Sequence, residues 1–278
     1  MKTILITGTT NGIGKVTAME LAARGYRLLL ANRDREKSEA LKAEIDQQTG
    51  NQNIELFDLD LSSLASVNSC ADAVKQRCDS LDVLLNNAGL MCHDEVITAD
   101  GFELQFAVNA LAQFDFTLEL LPLLEAATPS QVIFVTSMMH KFGKLDYDTF
   151  KGWEKYNGGA SYNQSKLAMM LLAHELAERL ADRKISVNTL HPGAVNTGIL
   201  DGYSKLAQFF LRRIFIAPEK GARTSLFLVE SEPTELPGGK YYVGKKESAT
   251  HKLVDDAAAR AQLWDTCCQF LGRDAALA

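Results

Sequence analysis

Short apolar runs rich in β-branched residues recur along the chain, and between them lie longer stretches with apolar positions at helical spacing. The runs predict strands at Thr3–Thr7, Arg27–Ala31, Asn53–Phe57, Val83–Asn86, Gln131–Thr136, Ser186–Leu190 and Lys240–Val243. Helices are expected between them, among them Arg35–Gln48, Leu64–Arg77, Gly101–Leu124 and Ser161–Ala181. Near-continuous apolar strands such as Leu28-Leu29-Leu30 suit a parallel sheet covered on both faces. Strand–helix repetition of this kind predicts an α/β fold, a Rossmann-type doubly wound parallel sheet of about seven strands with helices on both faces. No Pro/Gly/Ser-rich linker interrupts the 278 residues, so a single domain is expected over 1–278.

Two segments break the rhythm: Met138 to Gly159 and Gly198 to Ala217. Both follow strand ends, where open α/β sheets bind ligands. The second contains the amphipathic stretch Leu206–Phe215 and reads as a lid over an apolar substrate at about 198–217. A surface helix with its apolar face in the core is the alternative, and Arg212 and Arg213 also admit a membrane-surface contact.

Composition narrows the function. A net charge of −6 argues against a nucleic-acid partner, whose phosphates call for a basic surface. The five cysteines, two of them adjacent at Cys267 and Cys268, read as reduced thiols, and no cluster has metal-ligand spacing. No apolar run reaches the roughly 18 to 20 residues of a membrane span, and the first strand leaves no room for a signal peptide. A cytoplasmic protein without a transmembrane anchor is expected.

The chemistry begins at Gly8-Thr9-Thr10-Asn11-Gly12-Ile13-Gly14, between the first strand and the first helix. Glycines let the backbone turn and approach a diphosphate, and the helix N-terminus supplies free N–H groups and partial positive charge. Tyr162 and Lys166 stand four apart and share one helix face. A neighbouring ammonium favours the phenolate, so the pair suits proton exchange in a carbonyl–alcohol interconversion. A second Tyr-x3-Lys, Tyr147 to Lys151, sits in the irregular segment before Gly152, where no stable helix is expected to fix it. Ser137 stands after a strand and can donate to a substrate oxygen, or cap the next turn. Asn86-Asn87-Ala88-Gly89 closes another strand, with Gly89 giving clearance beside a ligand or forming a plain turn. Asn109, a polar residue in an apolar helix, is a hydrogen-bond hub or part of a proton path.

The glycine loop, Asn86 to Gly89, Asn109, Ser137, Tyr162-x3-Lys166 and His191-Pro192-Gly193 resemble, in order and spacing, the short-chain dehydrogenases/reductases. Ala31-Asn32-Arg33-Asp34 and the 25 positions separating Ser137 from Tyr162, a wider gap than is usual, resemble the retinol-dehydrogenase-like branch, which includes relatives of protochlorophyllide reductase. The resemblance implies Tyr162 as general acid/base and Lys166 as the group that lowers its pKa and holds the nicotinamide ribose. It implies Ser137 as the residue orienting the carbonyl and Asn109 as holder of a relay water. Cofactor contacts are implied for Gly8, Thr10, Asn11, Gly12, Ile13, Gly14, Asn87, Ala88, Gly89, Pro192, Gly193 and Val195. Asp60 and Leu61 would meet the adenine, and Thr197 the carboxamide.

Enzymes using NAD usually place a carboxylate at the end of the second strand. Here Asn32-Arg33 stands there; a guanidinium can instead clamp a 2′-phosphate, and Lys15, just past Gly14, can assist. Asp34 is the counterweight, and a merely solvated Arg33 would leave the choice open. NADP(H) is favoured over NAD(H). The expected function is an NADP-dependent oxidoreductase acting on a small apolar aldehyde or ketone or the matching alcohol. A non-catalytic NADP-binding sensor and a double-bond reductase of the protochlorophyllide-reductase type are the alternatives. The resemblance admits a homodimer or a homotetramer.

Overall fold

The structure, a computed structural model, describes residues 1–193 and 218–276. The expected lid at 198–217, Val195 and Thr197 lie outside the described residues.

Each apolar run forms a strand because its side chains find cover on both faces. The strands are β1 (Thr3–Thr7), β2 (Arg27–Asn32), β3 (Ile54–Asp58), β4 (Val83–Asn86), β5 (Ser130–Val135), β6 (Ile185–His191), β7 (Lys240–Val243) and β8 (Lys246–Glu247). Their order in the one sheet is β3-β2-β1-β4-β5-β6-β7-β8. Every pairing through β7 is parallel, and only β8 folds back antiparallel on β7. The sheet thus has eight strands where seven are expected, because two exposed residues after a tight turn carry no hydrophobic signal.

Alternation along the strands separates two cores. Leu5, Leu29, Leu84, Val132 and Val187 point to one face. It is covered by α3 (Leu64–Arg77), α4 (Leu104–Phe106), α5 (Ala112–Glu119), α6 (Leu121–Ala126) and α7 (Gly158–Arg179). Ile4, Ile6, Leu28, Leu30, Leu85 and Ile133 point to the other face. There α1 (Gly12–Ala23), α2 (Arg35–Thr49) and α8 (Pro218–Glu230) pack through Leu21, Ile45 and Leu228. The last helix, α9 (Ala257–Leu271), returns to the first face with Trp264 and Cys267. Full burial of each such aliphatic side chain contributes about 2 kcal/mol, which is why both faces must be covered.

Two expected elements change. The helix expected over Gly101–Leu124 is interrupted: α4 passes through a π-helical turn, Ala107–Leu111, before α5 resumes. One turn with an extra residue leaves the apolar spacing intact, so the sequence does not announce it. The main helix starts at Gly158 rather than Ser161, since Asn157 caps it by accepting from Ala160 N–H. A side chain at Gly158 would overlap the Cys92 carbonyl, which fixes glycine there.

Candidate active site

The order in which successive strands join the sheet reverses between β1 and β4, and ligands of open α/β sheets bind outside the carboxyl ends of strands at such a point. The glycine loop follows β1, Asn87 to Gly89 follow β4, Ser137 follows β5, and His191 ends β6 before Pro192 and Gly193. The fold therefore gathers the expected residues of four loops along one edge.

The loop is held by its neighbours. Gly8 and Gly12 have φ of 70° and 54°, the left-handed region that favours glycine. A side chain at Gly14 would overlap the Gly8 carbonyl and the Asn87 amide, and one at Gly8 would stand 2.8 Å from Ala88 Cα. Asn87 Nδ2 donates to the carbonyls of Thr7 and Gly8, 2.9 Å each. The side chain of Asn32 clamps Thr9, accepting from its N–H at 2.5 Å and donating to its hydroxyl at 2.9 Å. Asn11 opens α1 without a side-chain cap, whereas α2, α3 and α7 are capped by Asp34, Ser63 and Asn157. Backbone N–H groups at Gly12, Ile13 and Gly14 thus remain for an anion. This cradle, closed to any side chain, fits a dinucleotide diphosphate.

At the end of β2, Asn32 is buried against Thr9 and Arg33 is exposed. Asp34 is committed elsewhere: its carboxylate accepts from Lys37 N–H and pairs with the Lys37 ammonium at 2.7 Å, which holds its pKa below the ordinary range. Lys15 pairs with Glu44 at 2.6 Å. Asp60 accepts from the N–H and hydroxyl of Ser62, a turn just before α3, and Leu61 is buried beside it.

Ser137, Tyr162 and Lys166 come together above β5. Ser137 opens a 3-10 turn, Met138–Phe142, and its Oγ accepts from Met139 N–H at 3.2 Å. The hydroxyl of Ser137 acts on the Tyr162 phenol to favour its ionisation, while burial, the larger effect, pushes that phenol up. Lys166 is almost fully buried; its Nζ donates to the Val135 carbonyl at 3.3 Å and lies 5.8 Å from the centre of the Tyr162 ring. Desolvation brings its pKa down to about 8. A side chain at Gly89 would meet Lys166 Nζ and Asn109 Oδ1, each at 3.2 Å. The ammonium thus lies by the ring face, and burial rather than charge dominates the phenol.

Asn109 sits in the π turn and is fully buried. Its amide pairs with Leu90, accepting from the N–H and donating to the carbonyl at 2.9 Å each, and it donates to Ser165 Oγ at 3.0 Å. Its side chain ties the loop after β4 to α7. The second Tyr-x3-Lys forms only a short 3-10 turn that ends at Gly152. Tyr147 packs edge-on to Phe150 at 5.3 Å and the Lys151 ammonium lies 5.1 Å above Phe270, so this pair belongs to the packing.

No local pattern in the sequence marks Asn32 as a brace or His140 as part of the site. His140 is fully buried with Nδ1 2.6 Å from the Ser137 carbonyl. A cavity of about 590 Å³ opens at the opposite edge of the sheet, lined by His174, Lys184, Gly238 and Arg260 and by none of these site residues. Among the described residues no group of side chains suits a metal, and no helix is long and apolar enough to cross a membrane.

Residues 2–206 match the short chain dehydrogenase family, and the chain belongs to it. Within that family it falls in the retinol-dehydrogenase-like branch. Human retinol dehydrogenase 13 is 38% identical over 285 residues, covering 99% of this chain and 86% of that protein. Human retinol dehydrogenase 11 is 37% identical over 273 residues, covering 98% and 86%. In structure the chain is similar to an uncharacterized protein from Mycobacterium paratuberculosis, with TM-score 0.79, 31% identity and coverage of 99% and 94%. A short-chain dehydrogenase from Escherichia coli CFT073 complexed with NADPH shares the fold, with TM-score 0.69, 23% identity and coverage of 88% and 97%. The chain is accordingly an oxidoreductase of a family that binds a nicotinamide cofactor.

Proposed function

We propose that this protein is an NADP-dependent oxidoreductase that interconverts an apolar aldehyde or ketone with its alcohol. The observation that carries the reading is the meeting of Ser137, Tyr162 and Lys166 beside the glycine cradle. The cofactor, when bound, supplies or accepts the hydride. Gly8, Thr10, Asn11, Gly12, Ile13 and Gly14 would hold its diphosphate. Asn87, Ala88 and Gly89 would line its path, with Asp60 and Leu61 contacting the adenine and Pro192 and Gly193 the nicotinamide end.

Ser137 donates its hydroxyl proton in a hydrogen bond to the substrate oxygen and sets its direction. Tyr162 gives its phenolic proton to that oxygen in reduction and takes it back in oxidation. Burial keeps the phenol protonated at neutral pH, the form that reduction needs. The Lys166 ammonium beside the ring favours the phenolate left after transfer, and would hydrogen-bond the nicotinamide ribose. Asn109 holds the loop carrying Gly89 at a fixed distance from Lys166 and supports the relay water.

Arg33 supports NADP: it is exposed where a ribose carboxylate would stand, while Asp34 is spent on the cap of α2 and Asn32 on Thr9. An apolar substrate is supported by Met138, Met139 and Phe142, which stand exposed just beyond Ser137, and by relatives named retinol dehydrogenases. The test is nicotinamide oxidation with a graded panel of aldehydes and ketones, with NADPH and NADH, for wild type and Arg33→Ala. Preference for NADPH that shrinks in the variant supports the reading. Preference for NADH in the wild type contradicts it.

A further inference from the structure

The Ser137 carbonyl and the Met138 N–H belong to one peptide group, and both of its ends are held by histidines. His140 Nδ1 lies 2.6 Å from the carbonyl, and the N–H donates to His191 Nδ1 at 3.4 Å. A carbonyl only accepts, so His140 carries its proton on Nδ1; an N–H only donates, so Nδ1 of His191 is bare. The two rings come from different elements, the turn after β5 and the last residue of β6. Both are buried, and His140 is wedged edge-on against Tyr241 with ring centres 4.9 Å apart.

We propose that His140 and His191 are positioning residues that grip the Ser137–Met138 peptide from both ends and so aim the Ser137 hydroxyl at the Tyr162 phenol. The proposal rests on the reading of Ser137 as the group that orients the substrate oxygen. A peptide fixed at one end can still rotate about the other; two opposed hydrogen bonds of fixed polarity leave it one orientation. The opposite tautomer of His140 would set a lone pair against a carbonyl, and a protonated His191 would set N–H against N–H. Burial guards both rings against protonation, pushing His140 below its ordinary value and His191 down to about 4. At His140 the bond to the Ser137 carbonyl works against burial, which outweighs it; Lys141 and His251 lower His140 further, and His140 and Lys141 lower His191. Tyr241, the other ionisable neighbour of His140, has its pKa raised by burial and stays neutral.

The tautomers are readable without substrate. Long-range ¹H–¹⁵N correlation spectra of the whole protein are expected to show Nδ1–H for His140 and Nε2–H for His191, unchanged from about pH 6 to about pH 8. Either ring in the opposite tautomer overturns the clamp. In turnover, His140→Leu is expected to lower kcat roughly 10- to 100-fold, as misplacement of a reacting group does, with cofactor affinity unchanged. His140→Asn, whose amide nitrogen stands near the position of Nδ1, is expected to restore most of that loss. If His140 acts through Ser137, His140→Leu costs nothing further in a Ser137→Ala background. An equal cost in both backgrounds overturns the proposal. Full kcat in Ser137→Ala alone overturns the role of Ser137 instead, while the tautomers still decide the clamp. Should the leucine variant fail to fold, His140→Asn and the spectra carry the test.

Discussion

The side-chain amide of Asn87 donates to the carbonyl of Gly8 at 2.9 Å, tying the end of β4 to the first turn of the glycine loop. A second bond from the same nitrogen reaches the Thr7 carbonyl, and Thr7 Oγ1 in turn accepts from the N–H groups of Asn87 and Ala88. The loop is therefore shaped by the neighbouring strand as much as by its own glycines. Asn87→Ala leaves two carbonyls without their donor, a loss of about 1–3 kcal/mol. NADPH affinity measured by calorimetric titration is expected to fall about tenfold, since this energy shapes the diphosphate cradle. Unchanged affinity would show that the loop holds its form alone.

Lys166 is a cost to the fold. Its pKa is depressed from the ordinary 10.5 to about 8 by burial. The charged form is the penalised one, so the full penalty applies below about pH 8 and is relieved as pH rises toward the value of the unfolded chain. Lys166→Met is expected to stabilise the cofactor-free protein at pH 7 by on the order of 2 kcal/mol in urea denaturation, while turnover is lost. A less stable methionine variant would mean that the bond to the Val135 carbonyl outweighs the desolvation.

Buried neutral histidines should set the acid limit of stability. His174 and His191 are each pushed down to about 4 by burial. The unfolded chain takes up those protons near pH 6.5, so the stability they contribute is complete above that value and is lost as pH falls toward 4. Melting temperature is expected to decline through this window. His174→Leu should flatten the decline by on the order of 2 kcal/mol. A pH profile with the same slope in the variant would place the acid sensitivity elsewhere.

The strands from β1 to β7 were legible because each is an apolar run long enough to need cover on both faces. β8 was not: Lys246 and Glu247 are exposed, and only their pairing to Val243 and Tyr242 makes them a strand. The π turn hid inside a continuous apolar stretch, where one extra residue changes backbone bonding but not hydrophobicity. At the site, Tyr162, Lys166, Ser137 and the glycines announced themselves by spacing, and the fold brings them to one edge. Asn32 stands out in the sequence only for what it lacks, a carboxylate, whereas its position is explained by Thr9, 23 residues away. His140 fell in an irregular segment where no periodicity says which way a ring turns, and its partner His191 is 51 positions later. Contacts across loops leave no local trace.

The central claim is that Tyr162 exchanges the proton while the rest of the site binds and orients. Tyr162→Phe removes one oxygen and little volume, so cofactor binding and folding should survive. Steady-state turnover of the best carbonyl substrate, measured beside NADPH titration on the same preparations, is the direct test. The expected result is a kcat lower by at least about 100-fold with NADPH affinity within about threefold of wild type. Turnover retained in the phenylalanine variant would contradict the account and assign the proton to another group.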